Sequence, residues 1–121
     1  MMQVLKMTDE LFTQRRRVIT QLYAARKVIG KELPRIKVRV VKFDSRSTLG
    51  VCFIDKDFIS ISSDLTQWND EKLRFIVWHE LGHAYFRASH DENCVLMRST
   101  LPVKLPSLAM LEKALKKLSQ N

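Results

Sequence analysis

Apolar residues recur at helical spacing near the start of the chain, at Leu11, Val18, Leu22, Ala25 and Ile29. That stripe predicts a helix running to about Ile29. Thr8 is placed to cap it, Asp9 and Glu10 suit its first turn, and Gly30 marks its stop. The period then drops to two. After Pro34, the residues Ile36, Val38 and Val40 alternate with Lys37 and Arg39, which predicts a strand. Leu49 to Ile54 reads as a second strand and Asp55-Lys56-Asp57 as a short polar turn. Phe58, Ile59 and Ile61 then give a third strand, closing a hairpin. Asn69 or Asp70 caps a helix over about 70–86. A loop over 88–106 contains Pro102 and Pro106, and Ser107 caps a last helix. Leu108, Leu111, Leu115 and Leu118 form its apolar stripe, with Lys113, Lys116 and Lys117 toward water. The expected fold is therefore α+β: an N-terminal helix, a small three-stranded sheet, a central helix and a C-terminal helix.

The central helix carries the chemistry. All three histidines of the chain fall in one short window, and the first two frame His79-Glu80-Leu81-Gly82-His83. On a helix, positions i and i+4 share a face, so two imidazoles in H-E-x-x-H are able to hold one metal ion. The glutamate between them supplies a general base beside the ion's open coordination position. The flanking residues Val77, Trp78, Leu81, Gly82, Ala84, Tyr85 and Phe86 are uncharged, as expected for a buried ligand helix. The competing reading is a pair of core histidines satisfied by hydrogen bonds alone. Gly82 inside the helix costs about 1 kcal/mol relative to alanine, which a close approach by another backbone segment would justify. A catalytic zinc site takes three protein ligands. His90 is the first candidate for the third, with Asp91, Glu92 and Cys94 as local substitutes and Glu112 as a distant one. No glycine or proline lies between His83 and His90 to turn the chain back.

The run HELGHAYFRASHD followed by CVLM resembles the metzincin arrangement: zinc helix, third histidine, then a turn whose methionine lies beneath the metal. It is closer still to small single-domain zinc peptidases of bacteria and phages. The resemblance covers about residues 70–100 and implies a minimal zincin-like fold for the single domain 1–121. It also implies Met97 as the methionine of the turn. Methionine is as well suited to plain core filling. Two features depart from the metzincin pattern. Six residues rather than five separate His83 from His90, and Phe86 occupies the place of the family's glycine. In the zincin plan an edge strand beside the zinc helix binds extended peptide by strand addition, and Phe58 to Ser62 is the candidate.

Composition narrows the setting. The chain has 121 residues, enough for one modest core. No apolar run reaches membrane-span length and no secretory signal is recognisable at the start. Cys52 and Cys94 make no disulfide framework, which suits a reducing cytoplasm. The net charge of +8 lies wholly in residues 1–50, with twelve Lys/Arg against four acids, while residues 51–121 balance at nine and nine. The basic half could attract nucleic acid, but a solvated helix face is favoured because aromatics barely interleave with the charges.

These observations predict a zinc-dependent peptidase. One Zn²⁺ is held by His79, His83 and His90, and Glu80 takes a proton from the attacking water and passes it to the leaving nitrogen. Its partner is a protein or peptide substrate. Arg87, Arg98 and Tyr85 are candidates for a further oxyanion donor. Two alternatives share the motif. The basic half and H-E-L-G-H-A are similar to the SprT-like domain that degrades proteins on DNA, although that family's cysteine-rich ribbon is missing from these residues. The chain is also similar to the peptidase-like partners of phage-type repressors, which implies a regulatory role.

Overall fold

A computed structural model describes residues 2–4, 9–30, 37–43, 51–55, 58–62 and 68–120, with side chains over 12–30 and 68–120. The elements run β1 (Met2–Val4), α1 (Asp9–Ile29), β2 (Lys37–Phe43), β3 (Val51–Asp55), β4 (Phe58–Ser62), α2 (Asp70–Phe86) and α3 (Leu108–Ser119).

The described core is made by helices. Val18, Leu22 and Ala25 of α1 meet Leu73, Phe75, Ile76, Val77, Trp78 and Leu81 of α2, and Leu111, Ala114 and Leu115 of α3 close the cluster. Leu96 and Met97 enter it from the loop between α2 and α3. Of the stripe its spacing predicts, Val18, Leu22 and Ala25 are buried and Ile29 is partly covered, while the Leu11 side chain lies outside the described residues. Leu111 and Leu115 of α3 are buried as expected. Leu108 is instead exposed, and Ala114 takes its share of the core.

The expected fold, α+β with a three-stranded sheet after an N-terminal helix, is corrected. The side chains described bury a three-helix core, and the backbone places four strands rather than three, in the order β1-β2-β4-β3. β1 precedes α1 and pairs antiparallel with β2, Met2 opposite Phe43. Three residues are too few to show a two-residue period, so the pattern of the chain gives no sign of it. β2 and β4 pair in parallel, with Val38 opposite Ile59 and Val40 opposite Ile61. β3 and β4 form the antiparallel pair, with an irregularity between Phe53 and Asp55.

This order also corrects the edge strand. Phe58–Ser62 is β4, which has β2 on one side and β3 on the other. Its ladder groups are already used, so it is closed to strand addition. The edge on that side of the sheet is β3, which also lies against α2. Thr8, Pro34, Ile36, Leu49, Lys56 and Asp57 lie outside the described residues.

α1 is locked to α2 by polar contacts at the rim of the core. The Trp78 indole N–H donates to the Gln21 carbonyl at 2.9 Å, and the Arg74 guanidinium to the Gln21 side-chain oxygen at 3.1 Å. Arg17 reaches Asp70 at 3.1 Å and also donates to the Trp68 carbonyl. These contacts set the rotation of α2, and therefore the direction in which its histidines point. No helix among the described residues is long and apolar enough to cross a membrane.

Candidate metal centre

α2 begins at Asn69, whose side-chain oxygen accepts from the Lys72 N–H at 2.8 Å, so Asn69 rather than Asp70 is the cap. Its last two turns carry His79, Glu80, Gly82 and His83. The helix ends without a glycine. Arg87 takes the left-handed conformation (φ 53°, ψ 30°), and the Ala88 N–H closes back on the Gly82 carbonyl at 3.0 Å. That single residue makes the turn for which no glycine or proline is present. It brings His90 back over the helix.

The three imidazoles converge. Ring centroids are 4.7 Å apart for His79 and His83, 4.8 Å for His83 and His90, and 5.4 Å for His79 and His90. Their candidate ligand atoms all lie within 4.8 Å of one another. The proposed substitutes do not join them. The Asp91 carboxylate accepts from the Asn93 N–H, and the Glu92 carboxylate accepts from both N–H and hydroxyl of Ser99.

The hydrogen bonds test whether a cation fits. His79 Nδ1 lies 2.7 Å from the Leu96 carbonyl, and His83 Nδ1 lies 2.7 Å from the Ala88 carbonyl. A carbonyl only accepts, so each Nδ1 carries the proton and donates it. In the neutral rings both Nε2 atoms then present lone pairs, and these face each other at 3.1 Å. Two lone pairs at that separation repel unless a cation, either a metal ion or a shared proton, lies between them. Two nitrogens each about 2.05 Å from one zinc in tetrahedral geometry are about 3.3 Å apart, close to the observed separation. The carbonyl partners are those that orient metal-bound histidines in general. His79, His83 and His90 therefore fit a single divalent ion.

Electrostatics agree. Burial holds His79 below the ordinary imidazole value, an effect partly offset by its bond to the Leu96 carbonyl and reinforced by His83 and His90. A neutral imidazole is the form a metal requires. Half-buried Glu80 is pushed up to about 7 by loss of solvation, the range suited to a general base at neutral pH.

Met97 is fully buried, and its sulfur lies where a Cβ on Gly82 would fall, only 2.5 Å away. Gly82 thus admits a methionine side chain, not the backbone segment anticipated. The turn that delivers Met97 is pinned by three backbone bonds: Asp91 N–H to Met97 O, Cys94 N–H to Asp91 O and Met97 N–H to Cys94 O. The same turn aims the Leu96 carbonyl at His79. Of the candidate oxyanion donors, Arg98 is committed to the Glu92 carbonyl at 3.2 Å, Arg87 is the exposed helix end, and Tyr85 is half-buried. The carbonyls of Ala88 and Leu96 were invisible to sequence reasoning, since backbone groups carry no residue signature.

Comparison with known proteins returned no match: no family model, no curated protein and no solved structure is similar to this chain at a significant level.

Proposed function

We propose that the protein is a zinc-dependent peptidase in which His79, His83 and His90 hold one Zn²⁺ and Glu80 is the general base. The observation that carries this reading is the pair of Nε2 lone pairs at 3.1 Å, each fixed by an Nδ1–H bond to a carbonyl. A zinc ion held there supplies Lewis acidity and a water acidified toward neutrality. Glu80, one residue beyond the first ligand, accepts the proton of the attacking water and returns it to the departing amide nitrogen. The carboxyl's displacement to about 7 matches that two-way transfer. The Leu96 and Ala88 carbonyls keep both helix ligands in the metal-binding tautomer. Gly82 and Met97 pack tightly behind the pair and hold the 91–97 turn against α2.

The motif's resemblance to small bacterial and phage zinc peptidases supports a protein or peptide substrate. On this reading an extended substrate segment pairs with the edge strand β3, which lies beside α2. Among the described residues the half-buried Cys94 thiol is free.

The test is Glu80→Gln. It is expected to retain stoichiometric zinc by metal analysis while cleavage of an unfolded protein such as casein falls by at least 100-fold. Cleavage at the parental rate removes the proposed mechanism.

A further inference from the structure

The positions of α1 most open to solvent include Phe12, Arg16, Thr20, Tyr23 and Lys27. Their spacings of four, four, three and four place them in one stripe, opposite the buried Val18, Leu22 and Ala25. Phe12 is 49% exposed and Tyr23 is 56% exposed, so two aromatic rings lie on the water side of the helix. Scattered single apolar residues need no explanation, but here each ring is followed at helical spacing by cations. Phe12 is followed at i+3 and i+4 by Arg15 and Arg16, and Tyr23 by Arg26 and Lys27. The Arg26 guanidinium lies 5.5 Å from the Tyr23 ring centroid.

Apart from Asp9 and Glu10 in its first turn, the charge on this helix has one sign. Between Leu11 and Gly30 there are five cations and no acid. Arg17 turns toward α2, where it meets Asp70. The aromatics that are sparse along the basic half of the sequence are thus brought by helical spacing onto the cationic face. Two ring-and-cation units stand at the two ends of a stripe about 22 Å long.

An occupant of this face must offer flat apolar surfaces and negative charge together. A nucleic acid duplex presents phosphates but keeps its base faces inside the stack. A single strand presents both, since unpaired bases stack on aromatic side chains while Lys and Arg follow the phosphates. The stripe matches the shortest single-strand sites, about four nucleotides. We infer that the solvent face of α1 binds single-stranded nucleic acid, with Phe12 and Tyr23 as stacking platforms and Arg16 and Lys27 as phosphate contacts.

The test is fluorescence anisotropy of the full chain with labelled 20-mers of oligothymidine and oligouridine, and with a 20-base-pair duplex. At 50 mM salt one or both single strands are expected to bind at least tenfold more tightly than the duplex. Which of the two binds tells DNA from RNA. Raising the salt should weaken binding with a logarithmic slope of about −0.7 per phosphate contact. Tyr23→Ala should cost on the order of tenfold, and Arg16→Glu with Lys27→Glu should abolish binding, with melting temperatures like the parent's. Absence of binding to either single strand at 50 mM salt overturns the inference. So does equal affinity for duplex and single strand together with an inert Tyr23→Ala, which is the behaviour of a generic polyanion surface. Binding to phosphatidylserine vesicles but not to oligonucleotides overturns it in favour of a membrane. None of the substituted residues touches the histidine cluster, so failure here and failure of peptide hydrolysis are separate results.

Discussion

At the scale of single residues, Gly82 shows how a cost in one term becomes a requirement in another. Glycine sacrifices about 1 kcal/mol of helix propensity. In return the Met97 sulfur occupies the space of the missing Cβ. Gly82→Ala should regain the propensity and lose more through overpacking, for a net loss of about 1 kcal/mol in urea denaturation. Combined with Met97→Ala the clash disappears, so the double variant should cost less than the sum of the singles. A Gly82→Ala protein more stable than the parent would mean that the sulfur contact is loose. Glu80 supplies a pH signature. Its folded value of about 7 lies above its ordinary 4.5. Folded, metal-free protein therefore holds a proton that the unfolded chain releases, and stability falls as pH rises from about 4.5 to about 7. His79 works the other way: its value is lowered, so stability is lost as pH falls below 6.5. With chelator present, the stability of Glu80→Gln relative to the parent should be greater at pH 8 than at pH 5. An equal difference at the two pH values would show that Glu80 is not desolvated.

At the scale of elements, α2 has one end that follows familiar rules and one that does not. Its start is legible: Asn69 before Asp70 and Glu71 is a cap followed by acids, and the bond to Lys72 is present. Asn69→Ala should lower stability by about 1 kcal/mol in thermal or urea unfolding. The cap lies more than two turns from His79, so zinc affinity should change less than threefold; a larger loss would mean that the whole helix responds as one unit. The other end was not legible, because a left-handed arginine leaves no mark in sequence. Yet that residue sends the Ala88 carbonyl to His83 and returns the chain to His90. The sheet was legible only in part. Alternation pointed to β2 and short apolar runs to β3 and β4, but neither signal says which strand sits between which. The three-residue β1 escaped altogether, and β4 proved to be interior.

At the scale of the whole molecule, the proposed metal would join parts that are otherwise held separately. His79 and His83 belong to α2, whereas His90 is exposed on the loop that also carries Leu96 and Met97. A cation shared by the three therefore ties the loop to the helical core. Zinc at about one hundred times its dissociation constant adds about 2.7 kcal/mol, a rise of about 10 °C in melting temperature that chelation should reverse. Because His90 is exposed, His90→Ala should leave the metal-free melting temperature within about 2 °C of the parent while shrinking the zinc-dependent rise. An undiminished rise would assign the third ligand elsewhere.

The linear order of residues determined the parts of the candidate metal site: two imidazoles four apart on a helix, a carboxylate between them and a third imidazole downstream. It determined the helix stripes and most of the caps as well, because these depend on neighbours within a few positions. The tertiary structure decided what depends on distant partners. The Leu96 and Ala88 carbonyls choose the histidine tautomers, the Met97 sulfur explains Gly82, and burial raises the Glu80 carboxyl. It also decided strand order and the common direction of the α1 cations and rings. The physical reason is range: propensity and periodicity act along the chain, whereas desolvation, close packing and hydrogen bonds to a remote loop exist only once the chain has closed on itself.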